Sequence, residues 1–343
     1  MSTTKTKSRS ARKVATLPPV KADVTNTDCI TGMHNLPAES VDLIVTSIPF
    51  EELFTYSGKL EDVGNNGSTI DIKTGRFALN LRFVIEAMLH ALRPGCNACI
   101  HIQQLLAYKV QHGFMGRRDF RGAVIDLYRA GGFNFVGEFA IPKNPQVMAQ
   151  RLNLHSLQFK TGKSRSGTIL APAPNDFVLI FGKPGETPNP VRCLHDKTEN
   201  PGGWVQTDEW VRWASGVWDD IQETDVLDGW RAAREHDEEK HVCPLQLALI
   251  QRLVRLYTNP IGVQSDVTVC DPFMGIGSTA YVCLGGHTND GMLPVQPDDH
   301  RRNVVGFELK ESYFDQCKRN ITKVRKAVTL AAKPAQQSIN FTD

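Results

Sequence analysis

The chain has 343 residues, 41% of them hydrophobic, and its 39 basic and 37 acidic side chains leave a formal net charge of +2. That length can bury a large core, as one domain with an extra lobe or as two modest domains. No apolar run is long enough to span a bilayer and no apolar signal region follows the first charges, so a cytoplasmic protein with no membrane partner is expected. The eight cysteines read as buried thiols, not a disulfide framework.

Residues 1–22 carry Lys5, Lys7, Arg9, Arg12, Lys13 and Lys21 with no acid and no apolar period. This is a flexible basic arm, which either contacts phosphates or has no partner. Residues 41–45 form an apolar strand, and Ser47-Ile48-Pro49-Phe50 follows its carboxyl end, where open α/β sheets place ligands. An aromatic ring there can stack on a base taken out of a duplex, and nearby oxygens can accept hydrogen bonds from the base's amino group. The same residues also fit a Ser-Pro turn capped by a core phenylalanine.

Leu81, Val84, Ile85, Met88 and Leu92 recur at helical spacing until Arg93-Pro94-Gly95 stops the helix, and residues 95–102 read as the next strand. Cys96 and Cys99 lie on that strand at positions that point to opposite faces. With no second CxxC to complete four ligands, no metal site is expected. A helix through Val124, Leu127 and Tyr128 ends at Gly131-Gly132, and residues 133–140 and 177–181 extend the sheet. Two compact basic groups lie nearby: Arg117, Arg118 and Arg121, then Lys160, Lys163 and Arg165. The second sits in a loop with serine and glycine that can follow a DNA backbone or simply be solvated.

Periodicity is lost between residues 183 and 235, a stretch containing Trp204, Trp210, Trp213, Trp218 and Trp230. These read as anchors of a small lobe more than as base contacts. His236, Asp237, His241 and Cys243 lie in a charged run that reads as a solvated helix end, not a metal site. Leu245, Leu249, Leu253 and Leu256 mark a helix leading to a strand at 267–270 and a further helix at 278–284. Between these last two, Gly275 and Gly277 allow a tight turn and close approach of a ligand. Residues 303–307 form the next strand, ending at Glu308, which is placed to accept hydrogen bonds from a ribose diol. Glu308 lies farther from the loop than the usual distance of about twenty residues, and a polar insertion at 287–302 explains the excess. Alone, the glycine loop and the acid fit a nucleotide-type cofactor or a structural turn. Strand and helix alternation predicts a doubly wound α/β fold with a mostly parallel sheet.

Taken together, Asn26-Thr27-Asp28-Cys29, residues 41–50, His241-Val242-Cys243-Pro244-Leu245-Gln246-Leu247, residues 271–279 and Gly306-Phe307-Glu308-Leu309 with Tyr313 resemble one known family. It is the permuted β group of S-adenosylmethionine-dependent DNA methyltransferases that act on adenine N6 or cytosine N4, in the style of phage-encoded and restriction-modification members. The resemblance implies a Rossmann-like methyltransferase fold with a small DNA-recognition lobe, double-stranded DNA as partner, no metal, and a monomer or homodimer. It divides the chain into a basic arm (1–22), a catalytic half (23–182), a recognition segment (183–240), a cofactor half (241–328) and a tail (329–343). By the same resemblance Asp271, Phe273, Gly275, Gly277 and Glu308 hold S-adenosylmethionine, Asp28 lies near its adenine, and His241, Pro244 and Leu245 close the pocket. By that resemblance too, Ser47, Ile48, Pro49 and Phe50 carry the target base; independently of it, the exposed basic loop makes Lys160, Lys163 and Arg165 the phosphate candidates.

This chain departs from the family tetrapeptide at Ile48, where the pattern has a first proline. The backbone carbonyl needed to accept an amino hydrogen is still present, but the fixed φ of proline is not, so neighbours must hold the loop. The alternative to an enzyme is therefore a DNA-binding protein of the same fold whose chemistry is weakened at Ile48. In the family pattern Ser at the first position accompanies cytosine more often than adenine, which tilts the reading toward cytosine N4. A C5-cytosine methyltransferase is excluded because the chain has Cys243-Pro244 but no Pro-Cys dipeptide. The order of the motifs, catalytic before cofactor, disfavours the RNA and protein amino-methyltransferases.

Overall fold

The computed structural model describes residues 19–49, 75–152, 155–157, 171–191, 205–229, 233, 244–286 and 301–331. Most of the basic arm, most of the 287–302 insertion and most of the tail therefore lie outside the described residues. The centre of the fold is a seven-stranded sheet made of β1 (Ala22–Thr25), β2 (Val41–Ser47), β3 (Leu92–Gln103), β6 (Asn134–Ile141), β7 (Asp176–Gly182), β8 (Thr268–Asp271) and β9 (Asn303–Phe307). Their order across the sheet is β1-β9-β8-β2-β3-β7-β6. The pairs β1–β9, β9–β8, β8–β2 and β2–β3 are parallel, whereas β7 runs antiparallel to both neighbours. This is the mostly parallel, doubly wound sheet expected from the strand and helix alternation.

β2 sits in the middle because nearly every residue of Val-Asp-Leu-Ile-Val-Thr is buried, as a strand covered on both faces requires. One face is covered by α1 (Cys29–His34), α2 (Arg76–Ala91) and α4 (Phe120–Ala130). The other is covered by α7 (Leu247–Tyr257), α8 (Ser278–Cys283) and α9 (Glu311–Ala331). α2 buries Leu81, Val84, Ile85 and Met88 of the helical stripe read from its sequence, with Phe77 one turn earlier, whereas Leu92, read as the stripe's last residue, begins β3. Cys96 and Cys99 join different core clusters, so they do point to opposite faces of β3. Three short helices, α3 (Lys109–His112), α5 (Pro145–Leu152) and α6 (Thr207–Trp213), and a hairpin of β4 (Leu105–Ala107) and β5 (Gly116–Arg118) complete the described elements.

The described part of the tryptophan-rich segment packs against the sheet's second layer. Trp213 and Trp218 are fully buried, and Trp218 stacks on Phe139 of β6 at 4.1 Å. Arg252 of α7 lies 5.3 Å from the Trp218 ring and donates two 2.7 Å hydrogen bonds to Asp220, while Arg255 covers Trp213 at 4.7 Å and pairs with Glu209. These tryptophans are anchors, as their residue type suggested; Trp210 is exposed, and Trp204 and Trp230 lie outside the described residues.

Two buried carboxylates pin β2 to β8, one at each end. At the amino end Asp42 accepts from the Thr268 backbone N–H at 2.9 Å, from Gln264 at 2.8 Å and from Arg93 at 3.0 Å. At the carboxyl end Asp271 accepts from the Thr46 hydroxyl at 2.6 Å, the Thr279 hydroxyl at 2.6 Å and the Phe273 N–H at 3.1 Å. Burial raises the Asp271 carboxyl to about 6, against the partly opposing effect of these hydrogen bonds. The folded protein therefore binds this proton more tightly than the unfolded chain. Stability from Asp271 is fully present below its unfolded value and is lost as pH rises through about 6. A shift of this size corresponds to roughly 3 kcal/mol. Asp271→Asn, which keeps an acceptor for the Phe273 N–H, should therefore gain stability relative to the wild type as pH is raised from about 4 to about 7. Urea unfolding midpoints across that range test it, and a wild-type-to-variant difference independent of pH would overturn it.

Candidate active site at the carboxyl edge of the sheet

Parallel strands deliver their carboxyl ends to one edge, and β7, being antiparallel, delivers its first residue there too. Ser47 from β2, His101 from β3, Asp176 from β7, the loop after β8 and Glu308 after β9 meet at this edge. The cavity at the opposite edge, about 500 Å³ and lined by Glu39, Arg93 and Asp266 among others, is a poorer candidate. There Arg93 is already engaged with Asp42, Asp266 and the Glu39 carbonyl.

The loop after β8 is built from inside. Asp271 fixes its first turn, the Met274 N–H donates to the Phe307 carbonyl at 2.9 Å, and Asn320 of α9 donates to the Ile276 carbonyl at 2.8 Å. Gly275 and Gly277 both have left-handed φ, +54° and +94°. Their surroundings differ. A Cβ on Gly277 would lie 2.7 Å from the Cys317 sulfur, so that glycine serves helix packing. A Cβ on Gly275 would find nothing nearer than the Phe273 carbonyl at 4.0 Å, so its α-carbon faces open space at the site. Glu308 borders the same space: its carboxylate accepts from the Gly275 N–H and the Lys310 N–H, each at 2.8 Å. An ionised carboxylate has about four acceptor positions, so one oriented in this way can also receive a diol. The residues present thus fit a nucleoside-bearing cofactor, with backbone and Glu308 as its cradle.

The remaining predicted cofactor residues fall into three groups. Asp271 is 5% exposed and its oxygens meet protein donors, so it shapes the loop from beneath. Asp28 caps α1, accepting from the Thr31 N–H at 2.9 Å, and neighbouring Asn26 donates to the Glu308 carbonyl at 2.7 Å, which brings this segment beside the cradle. Pro244 and Leu245 are half-buried at the start of α7, Phe273 is half-buried in the loop, and His241 lies outside the described residues.

Ser47 and His101 are register partners on adjacent parallel strands, and the Ser47 Oγ lies 3.0 Å from His101 Nδ1. His101 Nε2 lies 3.1 Å from Asp176 Oδ2, which also receives Lys143 Nζ at 2.5 Å. All three side chains beyond Ser47 are about nine-tenths buried. Burial alone would raise Asp176, but the hydrogen bond and charge of His101, with those of Lys143, hold it below the usual carboxylate range. Ile48 is 1% exposed and packs into the first core cluster, so burial supplies the restraint that a proline would otherwise give. Pro49 is buried beside it; Phe50, Lys160, Lys163 and Arg165 lie outside the described residues.

His101, Asp176 and Lys143 were not singled out from sequence. A titratable residue between Ile100 and Ile102, in the apolar stretch from Ala98 to Ile102, is the signal that could have found the first. Nothing local marks the other two, because the contacts run between strands.

Comparisons with known proteins bear on the fold and the family. No curated protein sequence matches the chain. Among solved structures it is similar to a Thermus thermophilus protein described as a DNA modification methylase and complexed with S-adenosyl-L-methionine, with a TM-score of 0.57 and 19% identity over 89% of this chain and 96% of that one. It is also similar to the cytosine-N4-specific PvuII DNA methyltransferase, with a TM-score of 0.54 and 15% identity over 91% of this chain and 93% of that one. These likenesses establish the fold. The N6/N4 family model of DNA methylases matches residues 41–319, and with that match spanning most of its length the chain belongs to the N6/N4 DNA methylase family.

Proposed function

We propose that the protein transfers a methyl group from S-adenosylmethionine to the exocyclic amine of a base flipped out of duplex DNA, and that cytosine N4 is the amine it takes. The observation that carries this reading is the convergence of the Gly275–Glu308 cradle and Ser47 on one sheet edge within a chain of this family. When bound, the cofactor supplies an electrophilic methyl group on a sulfonium. The protein's own groups then do three things. Gly275 and Glu308 position the donor, the Ser47 Oγ and the Ile48 carbonyl accept the two amino hydrogens, and Phe50 stacks on the base. Holding both hydrogens turns the nitrogen lone pair toward the methyl group. Ser47 at the first tetrapeptide position is what favours cytosine over adenine.

The duplex would meet the same edge. The β4–β5 hairpin leaves the end of β3 close to His101 and carries exposed Tyr108, Val110 and Phe114 with Lys109 at its tip. Lys160, Lys163 and Arg165 would add phosphate contacts, which position DNA without reading its sequence.

Nucleosides from DNA incubated with the protein and S-adenosylmethionine should contain N4-methylcytosine by mass spectrometry. N6-methyladenine would correct the base, and no methylated nucleoside would sink the reading. Gly275→Val should fill the open space and Glu308→Ala should remove the diol acceptor, each weakening S-adenosylmethionine binding by about 1–3 kcal/mol. Unaltered calorimetric affinity in both folded variants would rule out this cradle. Ser47→Ala should lower turnover by on the order of 100-fold with cofactor affinity retained, the size seen for loss of one preorganised polar contact.

A further inference from the structure

We propose that His101, held by Asp176 and Lys143, fixes Ser47 as a hydrogen-bond acceptor and takes up, through Ser47, the proton that the amine must lose on methylation. The inference rests on the reading above and adds three positioning residues to it.

A hydroxyl can donate or accept, and an amine whose lone pair must be free needs an acceptor. The Ser47 hydroxyl could face the base either way, so something must set its polarity. The chain of contacts behind it does so from the far end. Lys143 lies 2.5 Å from Asp176 Oδ2, so the carboxylate keeps a buried counter-charge when the imidazole is neutral. An ionised carboxylate can only accept, which places the His101 proton on Nε2, 3.1 Å away. In the neutral ring Nδ1 is then a bare acceptor. Ser47 Oγ, 3.0 Å from Nδ1, can satisfy it only by donating its own hydrogen, which leaves the Ser47 lone pairs facing the base. The geometry is backed by register. Ser47 and His101 are direct partners across β2 and β3, while Asp176 pairs with Gln103 and so lies diagonally from His101 on the same face.

The same path accounts for the proton. As the amine nitrogen bonds to the methyl carbon, the carbon–sulfur bond breaks and its electron pair stays on sulfur. The nitrogen, now carrying two hydrogens and the methyl group, is positive. One of those protons passes to Ser47 Oγ while the Ser47 hydroxyl proton passes to His101 Nδ1. The imidazolium formed is stabilised by Asp176 and returns its proton to solvent as product leaves. No oxidant or further reactant is needed, and Ser47 ends as it began. Among the described residues, the titratable and charged groups on this path are His101 from β3, Asp176 from β7 and Lys143 after β6.

The test is single-turnover methylation by the full chain with S-adenosylmethionine and duplex DNA, measured against pH. In His101→Asn the amide oxygen can still accept from Ser47 but cannot take a proton. Its rate at neutral pH should fall by on the order of 100-fold, within the usual range for loss of general base catalysis, while affinities for S-adenosylmethionine and DNA stay unchanged. Lys143→Met provides a second readout. Without the lysine charge the Asp176 carboxyl moves up, so the acid limb of the rate profile should move to higher pH, an effect that a purely structural lysine would not produce. A wild-type rate in His101→Asn overturns the proposal; should that variant fail to fold, an unmoved acid limb in Lys143→Met overturns it. If Ser47→Ala is inactive while both other variants behave as wild type, the site reading stands and the relay falls. If the wild type methylates no DNA, the site reading itself falls.

Discussion

The buried carboxylate of Asp271 is the contact on which the site depends. It receives Thr46 from one half of the chain and Thr279 and the Phe273 N–H from the other. Thr46 and Asp271 lie 225 residues apart in the chain, and that bond sets the distance between the end of β2 and the loop after β8. Burial makes this carboxylate costly to ionise, and the hydrogen bonds offset only part of the cost. The donors are hydroxyls and a backbone N–H, with no cation among them. The consequence is short-range and directional, so the loop is held in place without a strong charge beside the cofactor space.

Asp42 does the same at the other end of β2, with Arg93, Gln264 and the Thr268 N–H as its donors. With both ends tied to β8, β2 cannot slip against its neighbour, and a one-residue slip would turn every side chain to the other face. Register matters here because Thr46 and Ser47 have opposite duties. Thr46 reaches toward Asp271 and Ser47 toward His101, an alternation that follows from the pleat of a single strand.

The isoleucine in the tetrapeptide shows how one restraint substitutes for another. A proline limits φ through its ring, whereas Ile48 is limited by burial of its side chain in the core formed with α2 and α4. The second layer is stiffened in a comparable way by Trp213 and Trp218, whose rings and the guanidinium groups of Arg252 and Arg255 lock the tryptophan-rich segment onto α7.

Much of this was legible in the sequence because it is local. The strands β2, β8 and β9 are apolar runs with β-branched residues, α2 and α7 have helical stripes, and Gly275 and Gly277 sit where a strand must turn into a helix. The tetrapeptide and Glu308 were found from their places at strand ends, and the order of motifs indicated the family. Only the tertiary structure decided what these residues touch. Ser47 meets His101 across 54 residues, His101 meets Asp176 across 75, and Thr46 meets Asp271 across 225. It also decided that Gly277 serves packing while Gly275 faces open space, a difference that two glycines two positions apart cannot reveal on their own. The physical reason is the same throughout. Spacing along the chain determines which face of an element a side chain takes, whereas its partner across the sheet is chosen by strand order and register, which arise only when the whole core closes.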